Sequence, residues 1–254
     1  MSTETALVPR TRPTVRWSLI DLAIVLVVSA VATVVLVVAL GGVLAIAGGN
    51  PRRYLQTHVV VYSAIVGMAA YGAILLAVYL AIVRRRHLSW AAVGFRQPPL
   101  LALLLSPLIV LGQLMAVAIV NVVVTRFTGA IENPQIKSIS GGQGFSWINF
   151  VLMLLLAGVV APIVEETFFR GLLFGWLRSR LPLVVAVILS AAIFAAAHVI
   201  PILLPALFAV GIILALAYHL SGSLWVSILL HALQNSFAVV LIFTLLALGI
   251  PLPR

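Results

Sequence analysis

Ionisable and polar side chains interrupt the apolar C-terminal half of this 254-residue sequence at three places. Glu165 and Glu166 are adjacent and account for two of only five acidic residues. His198 ends a later apolar run, and His231 and Asn235 lie four residues apart in the last one. Ionisable groups inside spanning helices are rare and need a partner or a water-filled cavity. These five side chains are therefore the candidates for chemistry.

These residue types are suited to hydrolysis by an activated water molecule. Glu165 and His198 can share the role of general base. His231 and Asn235 can donate hydrogen bonds to a developing oxyanion. The same Glu165, His198 and His231 could instead hold a zinc ion. The residue types alone leave both chemistries open.

Arg170 and Phe194 are placed to support this group. Glu166 and Arg170 lie four residues apart, so they share a helix face and can pair, whereas Glu165 points about 100° away. Phe194 is four residues before His198, and the three alanines between them allow a neighbouring helix to approach closely. The structural alternative is that the glutamates only neutralise the arginine and join helices.

The depths of the candidate residues in their apolar segments argue for a shared site. At about 1.5 Å per residue, Glu165 and Asn235 lie roughly 20 Å from the inner ends, His198 about 24 Å and His231 about 14 Å. Three separate segments thus bring polar groups to nearly the same depth. Polar residues placed at random would lie at different depths.

Other solutions to hydrolysis within a membrane are excluded by the sequence. It contains no HExxH and no GxSG motif, and Asp21 is its single aspartate, so an aspartyl dyad cannot form. Cysteine is absent, which rules out thiol nucleophiles, cysteine-ligated metals and disulfides.

The composition is that of a polytopic membrane protein. Hydrophobic residues make up 64% of the chain and charged residues only 8%, whereas soluble domains carry about a quarter charged residues. The net charge of +10 comes mainly from arginines between apolar runs, where they meet anionic headgroups. We expect the lipid bilayer as a partner and no nucleic acid.

Seven apolar segments are long enough to span a membrane, and we predict an all-α polytopic bundle of about seven transmembrane helices with an interfacial helix at 87–99. The segments are 18–47, 57–83, 100–125, 147–178, 182–199, 202–220 and 222–249. They predict a polar cytoplasmic N-terminus (1–17), N-terminal transmembrane helices (18–125), a polar loop (126–146) and a catalytic transmembrane core (147–249).

The distribution of basic residues predicts the orientation. With the N-terminus in the cytoplasm, the inner segments carry nine Lys and Arg residues and the outer segments five, as the positive-inside rule requires. We therefore expect a multi-pass protein of the bacterial plasma membrane with a cytoplasmic N-terminus. The short connections 178–182 and 220–222 suggest that the site is reached from the cytoplasmic side.

The candidate residues fall into three motifs that resemble those of a known family. It is the CAAX prenyl endopeptidase and bacteriocin-processing family of intramembrane proteases, also called the Abi family, and the resemblance covers about residues 147–240. The motifs are Glu165-Glu166-x-x-x-Arg170, Phe194-x-x-x-His198 and His231-x-x-x-Asn235.

The resemblance implies an intramembrane endopeptidase acting on membrane-embedded or membrane-anchored proteins or peptides. Glu165 and His198 would activate the water, and His231 and Asn235 would form the oxyanion site. Glu166 would assist them or pair with the arginine, and the phenylalanine of the second motif would shape the pocket.

The resemblance leaves open whether the enzyme uses a metal ion, because the family has been described both as metalloproteases and as metal-free glutamic proteases. We favour the metal-free enzyme, since Asn235 suits an oxyanion better than a metal. The alternative is zinc on Glu165, His198 and His231.

Two functions of another class compete with the protease. Intramembrane glutamate and histidine also form proton relays, so a proton-coupled transporter or a non-catalytic bacteriocin-immunity protein is the alternative. A relay, however, needs no asparagine one turn after a histidine, and the sequence shows no pair of broken helices.

Overall fold

The computed structural model describes residues 14–46, 50, 58–129, 134–142 and 144–252. All regular secondary structure in these residues is helical. Six helices of the described part are long and apolar enough to cross a membrane. The prediction of an all-α, multi-pass membrane protein is therefore confirmed. The predicted cytoplasmic N-terminus, 1–17, lies mostly outside the described residues.

The helices are numbered in chain order through the described ranges. They are α1 (Leu19–Ile46), α2 (Val59–Arg84), α3 (Trp90–Val93), α4 (Leu100–Thr128), α5 (Pro134–Ser140), α6 (Trp147–Arg178), α7 (Leu183–Ala197), α8 (Leu204–Ser221) and α9 (Leu224–Ala247). Helix α2 continues as a π-helix over Tyr79–Arg84. Helix α6 is π-helical twice, over Leu156–Val160 and Thr167–Phe174.

Six of the seven predicted apolar segments correspond to the full-length helices α1, α2, α4, α6, α8 and α9. The segment at 182–199 differs because α7 has only 15 residues and is about 22 Å long, whereas the hydrocarbon core is about 30 Å thick. Val199 follows with a φ of 56°, a left-handed conformation that β-branched residues rarely adopt. The helix therefore stops beside His198 rather than crossing completely.

Two other segments are more structured or shorter than the sequence suggests. The predicted interfacial helix forms only the single turn α3, and the backbone N–H of Leu224 donates to the oxygen of Gly94 at 2.9 Å just after it. The predicted polar loop at 126–146 contains the end of α4 and the seven-residue helix α5.

Helix α6 forms the centre of the bundle. Every residue from Thr167 to Phe174 is buried, and α6 packs against α2, α7, α8 and α9. Helices α7 and α8 approach closely where Gly211 meets Ala191, since a Cβ at Gly211 would lie 2.9 Å from the Cα of Ala191. Such small-residue contacts drive helix association in lipid, where burial alone gives no advantage.

One end of the bundle is strongly basic. It brings together the C-terminal ends of α2, α6 and α8, the start of α9 and the segment around α3. We call it the basic end, after Arg84, Arg85, Arg86, Arg96, Arg178 and Arg180. Asp21 has a structural role there, because its side chain lies 2.8 Å from Arg86 and 3.7 Å from Arg85.

Candidate active site

Glu165 lies in the short α-helical stretch Ala161–Glu166 between the two π-helical segments of α6. Its side chain is 15% exposed and faces a cavity. The hydroxyl of Tyr71 donates to Oε1 at 2.6 Å. The other oxygen, Oε2, is buried and has no hydrogen-bond partner in the described part of the chain. Glu165 therefore has one anchored oxygen and one available oxygen.

Two histidines from different helices approach the available oxygen. The Nε2 atom of His198, after α7, lies 4.0 Å from Glu165 Oε2, and the Nε2 atom of His231, in α9, lies 3.9 Å from it. Their side chains are 20% and 5% exposed. Both distances exceed a direct hydrogen bond, so the three groups surround a position rather than bond to one another.

The orientation of both imidazole rings follows from their second nitrogen. His198 Nδ1 lies 2.9 Å from the carbonyl oxygen of Phe194, and His231 Nδ1 lies 2.8 Å from Glu166 Oε1. Because carbonyl and carboxylate oxygens only accept hydrogen bonds, both Nδ1 atoms must donate. In the neutral ring, each Nε2 then carries a lone pair directed towards Glu165.

Glu166 and Arg170 form a fully buried pair behind these histidines. Arg170 donates to Glu166 Oε1 at 2.8 Å, and both side chains are 0% exposed. Arg170 also donates to the carbonyl oxygen of Gly211 at 3.2 Å. Its guanidinium lies 4.3 Å from the ring centre of Phe194, which is close enough for a cation–π contact. This arginine therefore joins α6, α7 and α8 behind the site.

Asn235 is fixed one turn beyond His231. Its Nδ2 atom donates to the carbonyl oxygen of Ala157 at 3.0 Å. Ala157 belongs to the first π-helical segment of α6, where the α-helical bonding pattern is interrupted, as often occurs at functional sites. The amide carries a second N–H, and Asn235 lines the same cavity as Glu165. This N–H is therefore a candidate donor to substrate.

The cavity beside Glu165 has a volume of about 530 Å³ and runs away from the basic end. Besides the candidate residues, its wall includes Ser63 near the start of α2, Met153 near the start of α6, and Gln135 and Ser138 of α5. The connections 178–182 and 220–222 do not line it. The expectation of a cavity that reaches these connections is therefore wrong, because basic residues mark the ends of helices but do not reveal packing between them.

The predicted site residues all lie in or behind this cavity. Glu165, His198, His231 and Asn235 line it, together with Phe194, while Glu166 and Arg170 are buried behind it. Sequence reasoning missed Tyr71. A signal was present, because the sequence Gly67-Met68-Ala69-Ala70-Tyr71-Gly72 places one polar aromatic residue among small ones that let another helix approach.

A second polar contact also escaped the sequence analysis. The buried side-chain amide of Gln113 in α4 donates to Gln234, which lines the cavity between His231 and Asn235. It ties α4 to the face of α9 that carries the candidate residues. A single glutamine in an apolar helix gives no spacing from which this contact could be predicted.

The zinc alternative requires a tetrahedral arrangement of ligand atoms. No group of three or more histidine, aspartate or glutamate side chains in the described ranges is arranged to hold a metal ion. Tetrahedral zinc with bonds of about 2.0–2.1 Å needs ligand atoms about 3.3 Å apart, whereas the N–O distances here are 3.9 and 4.0 Å. The set Glu165, His198 and His231 does not fit zinc as arranged.

The fold and the site define a class of protein: a polytopic helical membrane protein in which one glutamate and two histidines from three helices surround a position in an internal cavity. Residues 147–237 match the family model described as type II CAAX prenyl endopeptidase, Rce1-like. The resemblance to CAAX prenyl endopeptidases is therefore confirmed for the segment from α6 into α9.

Two curated relatives each match about a third of the chain. The "Membrane-embedded CAAX protease MroQ" of Staphylococcus aureus (strain USA300) is 35% identical over 95 residues, which is 35% of this chain and 38% of the relative. The "Putative membrane peptidase YdiL" of Bacillus subtilis (strain 168) is 32% identical over 90 residues, or 35% and 37% of the two chains. The matches thus span well under half of each relative. No solved structure matches the chain significantly.

Proposed function

We propose that this protein is an intramembrane endopeptidase that hydrolyses peptide bonds of membrane-associated proteins or peptides. The observation that carries the proposal is the convergence of two histidine Nε2 atoms, 3.9 and 4.0 Å away, on the one unanchored oxygen of Glu165. The similarity of residues 147–237 to CAAX prenyl endopeptidases supports the same activity.

The geometry around Glu165 suits a bound water molecule. A water oxygen about 2.8 Å from Glu165 Oε2 and from one Nε2 atom would bridge the N–O gap of 3.9–4.0 Å. The angle at that oxygen would be about 90°, within the range that a water molecule donating two hydrogen bonds accepts. Both protein atoms are acceptors, so each accepts a hydrogen bond from one O–H of the water. These two bonds raise the nucleophilicity of the water oxygen.

Hydrolysis then proceeds through a tetrahedral intermediate. The water oxygen bonds to the carbonyl carbon of the peptide while its proton passes to Glu165 or His198. When the intermediate collapses, the C–N bond breaks and the leaving amine receives that proton. The products are a carboxylic acid and an amine, so protons balance and no further reactant is needed.

The negative charge on the intermediate requires donors, and Asn235 and His231 are the candidates. Asn235 is held by its bond to Ala157 and retains its second N–H for the oxyanion. His231 can donate from Nε2 only when its ring is protonated, because its Nδ1 proton is engaged by Glu166.

The substrate is proposed at the level of its chemical class. The cavity lies among membrane-spanning helices, so its substrate would be embedded in or anchored to the bilayer. One relative is named a CAAX protease, and prenylated C-terminal peptides are therefore one candidate. The bacteriocin-processing activity implied by the resemblance remains another.

Comparing proteomes of membranes with the wild type and with Glu165→Gln tests the activity. We expect uncut precursors to accumulate in the variant and to be cut when purified wild type is added. Arg126→Gln, at the exposed end of α4, is the matched control for a change of charge. If no precursor accumulates and the purified wild type cuts none of the variant's membrane proteins, the proposal fails in favour of a transporter or immunity protein.

A further inference from the structure

Tyr71 holds Glu165 from outside the segment that resembles the proteases. It lies in α2, whereas the family match begins at residue 147. Its hydroxyl donates to Glu165 Oε1 at 2.6 Å, and its ring lines the cavity. We propose that Tyr71 is a positioning residue, which fixes one oxygen of Glu165 so that the other faces the two histidines. This inference rests on the proposed peptidase function.

The need for such a residue follows from the surroundings of Glu165. A glutamate side chain has several rotatable bonds and loses conformational entropy when it is fixed. The groups around Oε2 lie 3.9 and 4.0 Å away, too far for direct hydrogen bonds. A bond at the opposite oxygen can fix the side chain without occupying the position proposed for water.

The packing of α2 against α6 explains why Tyr71 can reach Glu165. Gly67 lies one helical turn before Tyr71, so the two share a face. A Cβ at Gly67 would lie 3.0 Å from Leu156 Cδ2, at the first π-helical segment of α6. The missing side chain therefore lets α2 approach α6 at the level where Tyr71 reaches the carboxylate.

Replacing Tyr71 by phenylalanine tests this role, because the ring is kept and only the hydroxyl is lost. The probe is a fluorogenic peptide that spans a cleavage site. That site is the one at which purified wild type cuts a precursor from the Glu165→Gln membranes. We expect kcat to fall about 10–100-fold, as for loss of a hydrogen bond to a charged group. KM should stay within about threefold, since the cavity wall is unchanged.

The control is Tyr79→Phe, which removes an exposed hydroxyl from the same helix and should leave kcat unchanged. A second variant incorporates 3-fluorotyrosine at position 71, which restores the hydroxyl and should restore kcat to within about threefold of the wild type. A purely structural hydrogen bond would instead lower the melting temperature and the folded fraction while leaving kcat per folded molecule unchanged.

The outcomes separate this inference from the proposed function. If the wild type cleaves the peptide and Tyr71→Phe cleaves it with a normal kcat, the positioning role is wrong and the peptidase stands. If 3-fluorotyrosine fails to restore kcat, the hydroxyl is not the cause and the role is also wrong. If the wild type cleaves no membrane precursor, the peptidase function fails and this inference with it.

Discussion

His231 and Glu166 are joined by a 2.8 Å contact between Nδ1 and Oε1, and this contact turns the opposite nitrogen of His231 towards Glu165. The adjacent glutamates of α6 therefore have different tasks. Glu166 is 0% exposed and orients a histidine. Glu165 instead lines the cavity, and its available oxygen, Oε2, lies near the two histidines. The same Glu166 oxygen also accepts from Arg170 at 2.8 Å, which makes the stability of this group depend on the arginine.

Replacing Arg170 by alanine should harm folding more than chemistry. The change leaves Glu166 as an uncompensated buried carboxylate, and breaking a buried pair in this way costs about 3–5 kcal/mol. We expect a clear fall in the melting temperature in detergent and a smaller fall in activity per folded molecule. Arg180→Ala, at an exposed position, is the control. A variant with wild-type thermal stability and no activity would contradict this account.

Replacing Asn235 by alanine should lower kcat about 100- to 1,000-fold, the usual effect of losing one donor to an oxyanion. KM should change little, because the donor acts on charge that develops during the reaction. Asn235→Asp gives a sharper comparison, since it keeps the size but removes the N–H and should be at least as impaired. Equal loss of stability in both variants with normal kcat would show that the bond to Ala157 is the main role.

The sequence was sufficient to predict the residues that converge, but not the contacts that orient them. Glu165, His198, His231 and Asn235 could be grouped because their types and depths agree. Tyr71 could not be added to this group, since the small residues around it indicate a close helix contact but not which side chain the tyrosine would meet. The early end of α7 also depends on the backbone of Val199, which the continuous apolar run conceals. The direction of the cavity depends on the packing of α5, which hydropathy does not describe.

Single cysteines can test the direction of the cavity without background, because the protein has none of its own. Ser63→Cys lines the cavity, and Leu220→Cys lies exposed at the basic end. With impermeant maleimide on sealed vesicles, we expect the two to react from opposite sides. Ser190→Cys, at a fully buried position, should react from neither. Labelling of Ser63→Cys from the Leu220 side alone would show that the cavity opens at the basic end.

The same vesicles test the orientation of the chain. The excess of basic residues at the basic end predicts that Leu220→Cys faces the cytoplasm. Access to the cavity would then be from the opposite side of the bilayer. Labelling of Leu220→Cys only from outside would reverse the proposed orientation without changing the geometry of the site.

Removal of metal ions should leave the activity intact. The N–O distances of 3.9 and 4.0 Å around Glu165 suit a bridging water better than a zinc ion. The measurement is cleavage of the precursor peptide by purified protein after exhaustive chelation, with the metal content determined in the same sample. Activity that is lost on chelation and restored by stoichiometric zinc would show that the site rearranges to bind metal.

The most direct test of the peptidase is kcat for Glu165→Gln and His198→Ala, measured on purified protein whose melting temperature is unchanged. The glutamine keeps the size of Glu165 and its contact with Tyr71 but cannot take a proton from water. We expect each variant to lose about 10²–10⁴-fold in kcat, with Tyr79→Phe at the wild-type rate. Cleavage within about threefold of the wild type by either folded variant would contradict the proposed mechanism.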